Sequence, residues 1–599
     1  MTDQKNIILA AALSFLVIVV WQVLFAPDPP PPPLEPEVAV EATEGGPDAP
    51  AALAPVPDAP VTREEALAQA ERIEIVTPKL RGSLSLRGGR IDDLDLEEYK
   101  VSLEPGAPDV TLLSPYGAAN PYYAVWGWTP ARGQDVGPTP QADTLWEVES
   151  GGPLSPGNPV TLVWDNGEGL TFRRALTVDE RYMFTVEQTV ENATGQAVTL
   201  SPYGIVARHG EPDTIGFYIL HEGAVAEFDG ALRELDYDDM LDLASDPAEG
   251  GPVERVSVAA NGWLGFTGKY WMTSLVGGPS QPFTAVFKAA DTTRGPVYQT
   301  DMRLPPVTIA PGQTAGASSY LFAGAKEVSV LEFYEDRLGV QGFVDAVDWG
   351  WFFFLTKPIF WLLATINSVV GNIGWSIIVL TLVIKAALFP LAYKSYVSMS
   401  RMKKLQPEME KIKERVGDDK MKLQQEMIAL YKKEKVNPAS GCLPILLQIP
   451  IFFSLYKVIF VSIELRHAEW IGWIEDLSAP DPSSWLNLFG LLPYSVDGLP
   501  GILALFSIGV LPVLMGVSMW MQQKLNPAPT DPIQQQIFAL MPWVFMFMLG
   551  QFASGLVLYW VANNVITFTQ QYAIMRSQGV DVDFFGNVKR SFRRKRPAE

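Results

Sequence analysis

The chain has 599 residues, a formal net charge of −22 and 19% charged residues, yet its mean hydropathy is slightly positive, so its charge must be segregated from long apolar segments. An acidic balance of that size argues against nucleic-acid binding by the chain as a whole, and a lone cysteine, Cys442, rules out a disulfide within it. The three histidines, His209, His221 and His467, are too widely separated for ordinary zinc-ligand spacing, so neither a metal enzyme nor a cofactor is expected.

Residues 1–26 contain the uncharged run NIILAAALSFLVIVVWQVLF, about the length a helix needs to cross a bilayer. Lys5 precedes it and no small-x-small cleavage site follows, so an uncleaved anchor with a cytoplasmic N-terminus is expected rather than a signal peptide. Residues 27–62 are rich in Pro, Ala and acids and read as a disordered tether. From 63 to 330, short alternating runs such as VTLVWDNGEGLTFRRALTVD are punctuated by Gly, Pro, Asn and Asp, which predicts a large antiparallel all-β sandwich. Residues 327–347 then alternate apolar and charged positions at helical spacing and lead into Trp349, Trp351 and Phe352 to Phe354. This predicts an amphipathic helix lying at the outer membrane interface, taken as residues 331–355.

Residues 356–576 hold five further apolar runs, about 357–392, 441–462, 501–523, 537–552 and 554–573, which with the anchor predict six transmembrane helices. The first run exceeds one crossing, so its beginning is expected to tilt or project outward. Lys385 is its one full charge past Lys357, roughly 12 to 14 Å inside the helix end near Tyr393 at 1.5 Å of rise per residue. A lysine at that depth should face a polar interior and is a functional candidate by default. Thr381 lies one turn earlier on the same face. Gln448 sits at similar depth in the next run, and Tyr559, Trp560, Asn563 and Asn564 lie in the last. Taken individually, Gln448, Asn563 and Asn564 more often serve as contacts between helices.

Between the first two runs, residues 394–437 form two amphipathic arms broken at Gly417-Asp418-Asp419, a helical hairpin whose apolar side carries Met399, Met402, Leu405, Met409 and Met427. Its basic residues outnumber its acids, which assigns it to the cytoplasm. The methionines either hold the arms together or offer an adaptable apolar face. The tail, 577–599, carries Lys589, Arg590, Arg593, Arg594, Lys595 and Arg596, a basic cluster suited to anionic lipid or to ribosomal RNA.

The stretch KSYVSMSRMKKLQPEMEKIKERVGDDKMKLQQEMIALYKKEKVNPASGCLPILLQIPIFFSLYK closely resembles the YidC membrane protein insertases, and so do TDPIQQQIFALMPWVFMFM and SGLVLYWVANNVITFTQQ. The resemblance covers about 350 to 575, and the long N-terminal region fits the Gram-negative form. It implies a bacterial inner-membrane protein with both termini cytoplasmic and a periplasmic β-supersandwich similar to sugar mutarotases. It also implies insertion and folding of nascent membrane proteins, alone or with the Sec translocon, through a polar groove open to cytoplasm and lipid. Substrate contact along the second, third and last spans, including Thr381, Tyr559 and Trp560, is implied as well. The family normally has an arginine where this chain has Lys385, so the charge is kept and the bidentate fork is lost. Two rival readings remain: a secondary transporter with Lys385 as its coupling site, against which stands the absence of an internal repeat, and an anchored sugar-binding protein, which leaves five spans unexplained.

Overall fold

The computed structural model describes residues 60–131, 133–214, 220–292, 294–417, 419–434, 436, 443–489, 492, 507–526 and 532–580. The expected anchor, nearly all of the tether, Cys442 and the basic tail beyond 580 lie outside the described residues.

Residues 72–325 fold as two antiparallel sheets packed face to face. The 11-stranded sheet runs from Arg72–Val76 at one edge through Tyr122–Pro130, Val198–His209 and Gly295–Arg303 to Ser245–Asp246. The 9-stranded sheet runs from Ala231–Asp236 through Gly262–Thr267, Trp271–Val276 and Thr314–Ala325 to Glu147–Ser150. The period-two pattern explains the layering. In Leu170–Val178, Leu170, Phe172, Leu176 and Val178 are buried at alternate positions. Arg174 occupies an inward position of that same strand. It is fully buried and donates to the carbonyls of Gly89 at 2.8 Å and Trp126 at 2.5 Å while stacking on the Trp146 ring.

The helical region begins with α1 (Val328–Leu338), shorter than the amphipathic helix the sequence predicts. It ends at Gly339, whose φ of 68° makes a left-handed cap, and the remaining segment forms a 3-10 turn at Phe343–Ala346. A second difference concerns 357–392, expected as one long run. The structure divides it into α2 (Phe353–Val370) and α3 (Ile373–Ala387), because Gly371 closes α2 with φ 72° and the Asn372 side chain accepts from Trp375 N to start α3. Past Leu388 the chain bends by 68° into α4 (Phe389–Val416), where Pro390 cannot donate the backbone bond that would continue α3. Then follow α5 (Lys420–Lys433), α6 (Leu443–Val461), α7 (Val510–Gln523), α8 (Pro532–Met548) and α9 (Ser554–Ser577). Among the described residues, α2 is the one helix long and apolar enough to cross a membrane unaided, and the bent pair α3 and α4 passes the same test together. The count of six therefore does not follow from helix length. The breaks at Gly371 and Leu388 shorten the segments, and α9 carries Asn563, Asn564, Gln570, Gln571 and Arg576.

The two regions meet in a charged joint. Glu327, just before α1, accepts from Lys79 Nζ at 2.7 Å and from the Tyr182 hydroxyl at 2.7 Å. Asp348 accepts from His221 N at 3.0 Å and pairs with Lys457 of α6 at 2.6 Å. Glu464, after α6, accepts from Val328 N at 3.4 Å. Burial, reinforced by the Glu327 charge and partly offset by backbone donors, raises the Glu464 carboxyl from 4.5 to about 7. The folded state therefore holds a proton that the unfolded chain releases above pH 4.5, and stability from this group falls as pH rises through 7. Glu464→Gln keeps the acceptor without the charge. In detergent it should unfold with wild-type stability near pH 4 and be more stable by roughly 3 kcal/mol at pH 8. A pH-independent difference between the two unfolding curves would refute this.

Candidate functional site

Three helices converge on Lys385. It lies in the last turn of α3, where the helix dipole favours a cation, and its Nζ donates to Gln448 Oε1 of α6 at 3.1 Å. Gln448 Nε2 in turn donates to the Tyr559 hydroxyl of α9 at 2.6 Å. Lys385 and Gln448 are both partly exposed, and among the described residues no carboxylate pairs with Lys385. Among the described residues, the lysine has one of its three donors engaged, at a site walled by apolar helices.

The other residues singled out from the sequence divide into two groups. Trp560 and Asn563 remain partly exposed on α9. The Trp560 ring lies 4.5 Å from Phe452 of α6 and 5.9 Å from Phe545 of α8, and Asn563 Oδ1 has no hydrogen-bond partner among the described residues. Thr381 and Tyr559 are 1% and 3% exposed. The Thr381 hydroxyl is spent on the Ile377 carbonyl one turn back, at 2.7 Å, and Tyr559 is turned inward to Gln448. Asn564 donates to Ser518 of α7 at 3.1 Å, a contact between helices.

In the hairpin, α4 and α5 are the expected arms. Met399 is buried against Tyr396 and Ile574 of α9, so it fixes the hairpin's base to the helical region. Met402, Leu405, Met409 and Met427 are partly exposed, with the Tyr431 hydroxyl of α5 directed at Met409 Sδ across 3.8 Å. Among the described residues, Met421 and Ile428 are the exposed large apolar side chains of α5. At the base, Lys403 and Lys404 donate to the Leu525 and Gln578 carbonyls, which close the ends of α7 and α9. Sequence reasoning did not single out Lys457 and Asp348. A second lysine inside an apolar run was the available signal.

With this geometry in hand, comparison with known proteins is decisive. Residues 72–362 match the family model described as YidC periplasmic domain, and residues 365–580 match that described as 60Kd inner membrane protein. The membrane protein insertase YidC of Dinoroseobacter shibae is 58% identical over 608 residues, covering 100% of both chains. The chain belongs to the YidC membrane protein insertase family. The insertase of Jannaschia sp. is 55% identical, again over 100% of both chains, and that of Paracoccus denitrificans 54% identical over 98% of this chain and 97% of its own. A solved YidC insertase structure covers 84% of this chain and 93% of its own at 18% identity, with a TM-score of 0.34.

As a YidC insertase, the protein resides in the inner membrane with its all-β domain periplasmic, and its activity is the insertion of membrane proteins. The transporter reading finds no support among relatives that match from end to end. An insertase makes no bond; it lowers the cost of moving backbone groups and charges into hydrocarbon.

Proposed function

We propose that insertion proceeds through a groove open to cytoplasm and lipid, whose polar wall is Lys385 with Gln448 and whose apolar wall is Trp560 with Phe452. The observation that carries this reading is Lys385 Nζ held by Gln448 Oε1 at 3.1 Å among apolar helices, with no carboxylate partner among the described residues. A cation so placed attracts the acidic residues of a short translocated tail and offers a polar foothold to backbone leaving water.

The membrane topology we propose has six spans and cytoplasmic termini. The β domain is outside and the basic hairpin inside, so an odd number of crossings must separate them. If α2 and α3 both crossed, the hairpin would return outside; α2 therefore lies at the outer interface and α3 crosses. The Trp361 Nε1 of α2 donates to Glu332 of α1 at 2.7 Å and Lys357 pairs with Asp345 at 2.5 Å, contacts that suit a helix held against the periplasmic domain. The hairpin would receive nascent spans through its partly exposed methionines, the basic tail would meet ribosome or anionic lipid, and the Sec translocon would deliver longer clients.

The test uses liposomes containing only this protein, wild type or Lys385→Ala, and a small single-span client with an acidic translocated tail. Protease protection of the tail should fall about tenfold or more in the variant. Equal protection would make Lys385 a bystander while leaving the insertase activity intact.

A further inference from the structure

Resting on that groove reading, we infer that Tyr559 is a positioning residue. Its hydroxyl fixes the Gln448 amide so that Gln448 Oε1 engages one Lys385 donor and leaves the other two for a carboxylate of the client's tail. The chain of contacts is short and directional. Lys385 Nζ donates to Gln448 Oε1 at 3.1 Å, and Gln448 Nε2 donates to Tyr559 Oη at 2.6 Å, which ties α3, α6 and α9 together through three side chains. An ammonium carries only donors, so the amide must turn its oxygen toward Lys385 and its NH2 away; Tyr559 supplies the acceptor at that far side. Because Tyr559 is 3% exposed, it acts on a client through Gln448 and Lys385 and not by contact. The neighbouring turn is braced in the same way, with Trp560 packed at 4.5 Å on Phe452, one turn along α6 from Gln448.

Without the hydroxyl, the Gln448 NH2 has no partner at that side, the amide is free to leave Lys385, and the long lysine side chain regains rotamers that must be lost again when a client binds. The ring of phenylalanine fills the same space, so packing is retained. An independent structural role for Tyr559 would weaken every client alike, whereas a role through Lys385 weakens those whose tails carry acid.

The experiment measures insertion rates into liposomes by protease protection, for full-length wild type, Lys385→Ala, Gln448→Ala, Tyr559→Phe and the Gln448→Ala/Tyr559→Phe pair. Two single-span clients are used that differ only in an acidic or a neutral translocated tail. Tyr559→Phe should slow the acidic client about 3- to 10-fold and the neutral one less than about twofold. The pair should be no slower than Gln448→Ala alone, since both substitutions break one relay. Equal slowing of both clients, additive losses in the pair, or an unaffected acidic client in a series where Lys385→Ala is impaired would each overturn the positioning role. If Lys385→Ala itself inserts the acidic client normally, the groove reading fails first and the relay falls with it.

Discussion

Lys385→Glu should slow insertion of a client with an acidic translocated tail by well over tenfold, a larger loss than Lys385→Ala produces, while Lys385→Arg keeps most of the activity. Alanine removes an attraction, whereas glutamate replaces it with a repulsion; two unit charges 4 Å apart interact by about 4 kcal/mol at an effective dielectric near 20. The substitution also disturbs the neighbours. A carboxylate at 385 draws the NH2 of Gln448, which now points to Tyr559, so the amide must turn and release that hydroxyl. Arginine preserves the charge and still donates to Gln448 Oε1, and its second N–H pair suits a carboxylate. Parallel insertion assays with acidic, neutral and basic tails decide the matter. The mechanism predicts that Lys385→Glu loses acidic clients first and basic clients least; uniform loss across the three tails would mean that the variant has merely damaged the fold.

Much of this is legible in the sequence. Alternation and turn residues announced the β domain, and polar side chains in apolar runs pointed to Lys385 and Gln448, which the structure brings within 3.1 Å. Other features were hidden for physical reasons. The break between α2 and α3 falls inside an apolar stretch where periodicity is uninformative, although Gly371-Asn372, a cap followed by a cap, was the local clue. Nothing in the spacing of α9 distinguishes a tyrosine facing a groove from one facing a buried amide, so Tyr559 and Trp560 looked alike until burial separated them. Arg174 occupies a β-strand position that alternation sends inward, whereas Arg303 lies on the face opposite the core residues Tyr298 and Met302, and only the three-dimensional placement of carbonyls and carboxylates explains how the two are tolerated where they are buried.

Arg303→Met should destabilise the periplasmic domain by about 3 to 5 kcal/mol at neutral pH, the largest single effect expected in that domain. Arg303 is buried and donates to Glu249 through Nη1 and Nη2, at 2.6 and 2.9 Å, while its Nη2 also donates to Asp301 at 2.8 Å. Glu249 is further held by Arg255 at 2.8 Å, and Lys288 lies 3.7 Å away. Removing the guanidinium leaves the carboxylates of Glu249 and Asp301 buried with too little positive charge between them. Burial pushes the Glu249 carboxyl up, but the hydrogen bonds and charges of Arg303 and Arg255 outweigh it and hold the group down from 4.5 to about 2. That stabilisation is present above pH 4.5 and is lost as pH falls toward 2. Burial raises the Asp301 carboxyl, which therefore titrates in the opposite sense. In the variant both acids are free to take up protons, so the gap in stability from wild type should be widest at pH 7 and narrow as pH falls toward 4. Thermal unfolding of the full chain in detergent at the two pH values measures this gap. A gap of the same size at both would assign the loss to packing of the arginine stem and not to the charges it neutralises.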